Sequence, residues 1–283
     1  MNGGGGGLSK KFRLPWEIPI EEYPPPSVFI EEALSCVSDA EGEGIILRIM
    51  GGMGIYLHSL EYKQLWEKLA RLGERVFTDI DFASYGKFRE KILKFFKRRG
   101  YDFDPRLMHH YGLKRHIYFG GRVPMVEVFF DKLEMNHTIS FSKRLEADSP
   151  TLPPSELLLQ KMQIVKINEK DIKDAIVLLI AHDVGETDKE TINLKALAHA
   201  GLTSDWGFYY TVTTNLQRVK EFVGNSTILN EDQKAIINGR IDKILKYLDE
   251  QPKSLGWKLR ASIGTKKKWY NDVEEWTYFR EGT

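Results

Sequence analysis

This chain of 283 residues has a single cysteine, Cys36. No internal disulfide can form, which is the pattern expected in a reducing compartment. Cys36 sits with Ala33, Leu34 and Val37 at helical spacing and reads as a small buried hydrophobe rather than a nucleophile. Uninterrupted apolar runs of about 18 residues are missing, so no membrane span is expected. The amino-terminal string MNGGGGGLSKKFRLPWEIP carries basic residues but no apolar core of signal-peptide length, and the chain is expected to be cytoplasmic. An excess of charge of either sign is also missing. Forty-one Lys and Arg stand against 40 Asp and Glu, a net charge of +1. That balance excludes a surface that is basic all over, because non-specific nucleic-acid binding rests on many phosphate neutralisations. It leaves room for one local basic site.

Apolar residues make up 42% and charged residues 29%, enough to bury a core. The glycine run at 3–7 and the prolines Pro24, Pro25 and Pro26 suggest a flexible, extended arm over residues 1–27. Residues 28–150 read as an α/β domain. A helix from Val28 is followed by a strand over 45–50, a helix over about 55–71 and a strand over 77–83. A helix bounded by Gly86 and Gly100 comes next. Then come strands over 115–119 and 122–130, separated by Gly120-Gly121 as in a hairpin, and a further strand over 137–142. Pro150, Pro153 and Pro154 break the pattern. Residues 151–283 then read as an all-helical domain with helices over 155–167, 169–183, 191–200, 212–223 and 231–250. The aromatic, charged tail is expected to strap over the body or to engage a partner.

The most informative string is Thr78-Asp79-Ile80-Asp81-Phe82. On a strand, side chains alternate faces, so Asp79 and Asp81 share one face while Ile80 and Phe82 point to the core. Like charges so close repel unless a cation or a basic group lies between them. Hard divalent ions take oxygen ligands, and a pair of them can clamp the attacking and leaving oxygens of a phosphoryl transfer. On its own the pair reads first as an exposed strand edge with two solvated aspartates, because Asp-x-Asp is common. Two further features join it. Gly51-Gly52 stands between a buried strand and a helix, where glycines let a ligand approach and helix-start amides can meet phosphate oxygens. Glu127, in Val126-Glu127-Val128-Phe129-Phe130, is an acid inside an apolar strand, costly to bury unless it is paired or bound to metal. Asp131 competes for that role but falls at the strand end.

Strand, Gly-Gly, helix, a strand with Asp-x-Asp and a later strand with a third acid together resemble the nucleotidyltransferase superfamily that includes DNA polymerase beta. The string from Arg75 to Phe82 is similar to the AbiE-type abortive-infection toxins. Glu156 and Lys161, and Lys170-Asp171, resemble the acid, lysine and basic-Asp positions of that family. The likeness covers about residues 45–183. It implies a mixed sheet with flanking helices followed by a helical domain, and a cleft between them. It also implies transfer of a nucleoside monophosphate from an NTP to an acceptor hydroxyl, with release of pyrophosphate. Asp79, Asp81 and Glu127 would hold two Mg²⁺ ions, or Mn²⁺. Gly51, Gly52 and Thr78 would contact the nucleotide, and Lys161 would offset phosphate charge. The acceptor would be RNA or tRNA, a protein or a small molecule, and an antitoxin protein would be a further partner. The alternative is a catalytically weak or inactive binding module for nucleotide or protein. Glu127 in place of the commoner Asp, and the long gap from Gly52 to Asp79, would then mark lost activity.

Other residues have plainer readings. Lys161 at the rim of an apolar stripe would snorkel. Asp171 and Asp174, near Lys170 and Lys173, read first as a solvated face, although Asp171 could orient Lys161 or assist as a base. Residues 87–99 carry seven basic side chains against Glu90 alone. They could track an RNA backbone, but a helix covering a sheet also needs a solvated outer face. His109, His110 and His116 lack cysteine partners at zinc spacing and are not expected to bind metal. Trp206, Tyr209 and Tyr210 read as helical core.

Overall fold

A computed structural model describes residues 12–69 and 76–273 and shows a mixed α/β fold rich in helix. Helix α1 (Pro26–Gly42) starts on proline, whose missing N–H costs nothing in a first turn. Strand β1 (Leu47–Ile49) leads directly into α2 (Gly51–His58), so that helix begins at the glycine pair rather than after it. The helix expected over 55–71 is therefore broken into α2 and α3 (Lys63–Lys68). Next come β2 (Ile80–Ser84), α4 (Arg89–Arg98), α5 (Pro105–Tyr111), β3 (Arg115–Phe119) and β4 (Met125–Phe130). Helix α5, which the sequence pattern did not announce, is capped by the Asp104 carboxylate on the amides of Arg106 and Leu107.

These strands form one sheet in the order β1-β2-β4-β3. Only β2 and β4 run parallel; β1 pairs antiparallel with β2, and β3 and β4 form the expected hairpin. Strands β5 (Lys132–Glu134) and β6 (Thr138–Ser140) make a separate pair, so the expected strand over 137–142 does not join the main sheet. Helix α4 lays Ile92, Phe95 and Phe96 on the sheet, with the Phe96 ring stacked 4.6 Å from Tyr118. Its outer face keeps Lys91 and Lys94 in solvent, while Arg98 pairs with Glu43, and Arg99 with Glu32 and Asp39.

After Pro153 come α6 (Pro154–Met162), α7 (Glu169–Ala181), β7 (Asp183–Gly185), β8 (Thr191–Asn193), α8 (Leu194–Leu197), α9 (Trp206–Asn225), α10 (Glu231–Glu250) and α11 (Leu255–Ile263). The helix expected over 191–200 is instead β8, paired in parallel with β7, followed by α8 and a π turn. One apolar core runs without interruption from Phe29 on α1 to Leu248 on α10. A smaller one gathers Leu14, Leu107, Tyr111, Ile117, Phe119 and Met125. Of the expected arm, residues 1–11 lie outside the described residues; from Phe12, stacked on Phe119, the chain packs on the body. The tail strap is visible as far as residue 273: Trp269 Nε1 donates to Thr211, and the amide of Asn271 donates to the Asn136 carbonyl. The remainder of the tail lies outside the described residues.

Candidate active site

Asp81 on β2 and Glu127 on β4 are register partners across the parallel pair. Their Cα atoms therefore lie one strand spacing apart, about 4.8 Å, with both side chains on one face of the sheet. Asp79 immediately precedes β2, and Thr78 Oγ1 donates to its carboxylate at 3.2 Å. Tyr23 O–H donates to the carbonyls of Phe77 and Thr78, fixing the approach to the strand. The β1–α2 turn arrives beside this cluster because the amide of Met50 donates to the Asp81 carbonyl at 2.8 Å. Gly51 takes φ +63°, and a Cβ there would stand 2.6 Å from Asp81 Oδ2. Glycine is needed at 51 for both reasons.

Facing the sheet, α6 and α7 supply Gln160, Lys161 and Asp171 to a cleft of about 600 Å³ that Asp81, Glu127 and Arg115 also line. A narrower arm of about 120 Å³ runs between Gly52, Thr78, Asp79, Asp81, Lys161 and Lys170. The structure thus brings Gly51, Gly52, Thr78, Asp79, Asp81, Glu127 and Lys161 to one place. Glu156 is not among them: it is buried against Arg144, which also pairs with Asp188. Asp131 is not either; it accepts from the Gly86 amide and pairs with Arg89.

The electrostatics of the cleft are those of crowded carboxylates. Burial first, and then the charges of Asp79 and Glu127, push the Asp81 carboxyl well above its ordinary range, against the pull of Lys161 and Lys170. Lys161, only 8% exposed, is held by Asp171 at 2.9 Å and Asp174 at 3.0 Å. The ammonium is thus buried rather than snorkelling to solvent, and Asp171 and Asp174 are buried around it rather than on a solvated face. Glu127 is met by Arg115 at 3.3 Å, and that guanidinium lies over the Tyr111 ring. The donor set of carboxylate oxygens suits a hard divalent ion, and the Gly51 cradle leaves space beside Asp81 where any other side chain would intrude.

Two contributors were not legible in the sequence. Gln160 Oε1 accepts the Gly51 amide at 2.9 Å, across 109 residues of chain, so one turn amide expected to face phosphate is already taken. Because that contact requires an acceptor, Nε2 is the other end of the amide, and it has no hydrogen-bond partner among the described residues. Arg115 had only its basic charge to signal it. Elsewhere, His116 is buried with Nδ1 2.8 Å from the Tyr118 hydroxyl, and burial lowers its pKa to about 4. His109 and His110 lie on the last turn of α5. Trp206 stacks on Tyr210 at 5.0 Å beneath Arg260. Burial, with Glu32 beside it, raises the Cys36 thiol pKa, as befits a packing residue. No family model matches the chain, and no curated protein matches it.

Proposed function

We propose that the chain is a Mg²⁺- or Mn²⁺-dependent nucleotidyltransferase of the polymerase-beta-like kind. It would move a nucleoside monophosphate from an NTP to an acceptor hydroxyl. The observation that carries this reading is the register pairing of Asp81 with Glu127, with Asp79 at the mouth of the same strand. Asp79, Asp81 and Glu127 would hold the ions, whose charge, once bound, stabilises the negative charge developing on the transferred phosphoryl group. Lys161, clamped by Asp171 and Asp174, offers a fixed positive charge to the phosphates, and Lys170 adds a second beside Asp81. The Gly51 turn lets phosphate oxygens come close to the sheet, and the surrounding walls orient the NTP so that an acceptor hydroxyl lies in line with the α-phosphorus. The test is label transfer from each of the four α-labelled NTPs to RNA, tRNA, protein and small-molecule acceptors. Asp79→Ala and Asp81→Ala should abolish it while circular dichroism is unchanged. Wild-type protein that labels none of these acceptors would weigh against the assignment. A toxin role, neutralised by an antitoxin protein, adds growth arrest on expression that Asp81→Ala relieves.

A second reading has its own observation. The Arg115–Glu127 ion pair and the Gln160–Gly51 hydrogen bond occupy groups that catalysis would recruit. They favour a module that binds nucleotide or protein without turnover. Calorimetry separates the two: Mg²⁺-dependent NTP binding lost in Asp79→Asn supports the enzyme, and tight partner binding indifferent to that change supports the module.

A further inference from the structure

At the opposite end of α2 from the carboxylate cleft, two histidine rings cross edge to face with centroids 5.3 Å apart. His58 is the last residue of α2, and His182 follows α7. The turn between β7 and β8 sends Glu190 back towards both, with its carboxylate Oε2 3.3 Å from His58 Nδ1 and 3.4 Å from His182 Nδ1.

The second nitrogen of each ring is held by the protein. His58 Nε2 lies 3.0 Å from the Leu152 carbonyl, 2.6 Å from the Thr151 hydroxyl and 3.5 Å from the Asp148 carboxylate, all able to accept. His182 Nε2 lies 3.0 Å from the His58 carbonyl. His58 therefore carries its proton on Nε2 and presents the Nδ1 lone pair to Glu190, whereas His182 faces a backbone carbonyl from each ring nitrogen and can release the proton from either. His182 Nδ1 also faces the Glu190 carbonyl at 3.1 Å. With Nδ1 deprotonated on both rings, two lone pairs and a carboxylate face one another and repel unless a cation lies between them.

We propose that His58 Nδ1, His182 Nδ1 and the Glu190 carboxylate bind one divalent transition-metal ion of the zinc class. Metal–ligand bonds of about 2.0–2.1 Å in a tetrahedron separate the donors by about 3.3 Å, close to the contacts seen. Imidazole donors select zinc-class ions over Mg²⁺. Histidine ligands fixed by hydrogen bonds from their second nitrogen to backbone carbonyls are the usual outer shell of such a site. The fourth position opens to solvent on the side of Glu190, whose side chain is 62% exposed. The ion fastens the β7–β8 turn to the end of α2 and to the 148–152 segment. It lies about 10 Å along α2 from Gly51, at a helix rise of 1.5 Å per residue, and does not depend on the proposed nucleotide chemistry.

The experiment takes untagged full-length chain, stripped with chelator, and titrates it with Zn²⁺ by calorimetry in excess Mg²⁺. Co²⁺ absorption reports the geometry. The expected result is one Zn²⁺ per chain with a tetrahedral Co²⁺ spectrum. Binding should weaken about tenfold or more in Glu190→Gln, vanish in His58→Ala/His182→Ala and persist in Asp79→Asn/Asp81→Asn. Glu190→Gln alters an exposed side chain, so its result stands even where the histidine variants fold poorly. Absence of stoichiometric Zn²⁺ in the wild type would overturn the site. Equal affinity in Glu190→Gln, or loss in the aspartate variant instead, would do the same.

Discussion

Gly51 and Asp81 interlock: the glycine's φ of +63° turns its Cα towards the aspartate, leaving room for Oδ2 but not for a Cβ 2.6 Å away. Gly44 has nearly the same φ, +68°, and open space around it. The two positions separate backbone strain from the contact. Gly44→Ala should cost about 1–2 kcal/mol, the penalty of a left-handed conformation. Gly51→Ala should cost more by chemical denaturation, and should also weaken Mg²⁺-dependent nucleotide binding by displacing the carboxylate. Equal losses at the two positions, with binding intact, would reduce Gly51 to a turn residue.

Asp81 holds its proton more tightly in the folded chain than in the unfolded one, because burial and the charges of Asp79 and Glu127 disfavour its ionised form. Between the ordinary carboxylate range and this raised value the folded state binds the extra proton. This group's contribution to stability is therefore retained at acidic pH and lost as pH rises through the native pKa. In chelator, Asp81→Asn should remove that loss, so the variant gains on the wild type between mildly acidic and neutral pH. Mg²⁺ at about 100 times its Kd should stabilise the wild type by about 2.7 kcal/mol. That corresponds to roughly 5–10 °C in Tm, and Asp81→Asn should be left nearly unmoved. Thermal melts at two pH values, with and without Mg²⁺, check both statements.

What the sequence made legible was local. Alternation put Ile80 and Phe82 in the core and Asp81 on the open face, and that is how β2 lies, but Asp79, expected on the same strand face, falls just before the strand begins. Helix α10 matched its expected bounds because Ile237, Ile241, Ile244 and Leu248 keep one buried stripe and Asn230 with Gln233 caps its start. Three-residue strands such as β7 and β8 are too short to show a period, and Thr191 to Asn193 therefore merged into a helix pattern. The cleft was legible as a set of acids and glycines. Its counter-charges were not, because Arg115, opposite Phe129, reaches Glu127 diagonally across the β3–β4 hairpin and Gln160 reaches Gly51 only through the packing of α6 on α2. The His58–His182 pair, 124 residues apart, is held together by tertiary structure alone.

Lys161 separates structure from chemistry. Truncation to Met leaves Asp171 and Asp174 buried without the ammonium between them, which should cost roughly 3–5 kcal/mol. Adding Asp171→Asn and Asp174→Asn removes the stranded charges and should restore much of the stability. If Lys161 also serves the phosphates, the triple variant should fold yet still bind NTP more weakly than the wild type. Restored affinity in the triple variant would assign the lysine to packing alone.

Arg115 decides between the two readings of Glu127. Their side chains are only 11% and 8% exposed, so Arg115→Gln should destabilise the metal-free chain by roughly 3 kcal/mol, or about 6–12 °C in Tm. A guanidinium and a metal ion are competitors for the same carboxylate. Where Glu127 is a metal ligand, removing Arg115 frees it for the ion, and added Mg²⁺ should raise the variant's Tm by more than it raises that of the wild type. Glu127→Gln on the same background should cancel that extra gain. A deficit that Mg²⁺ does not touch would make Glu127 the structural partner of Arg115 and leave Asp79 and Asp81 too few ligands for catalysis, which is the outcome the binding-module reading requires.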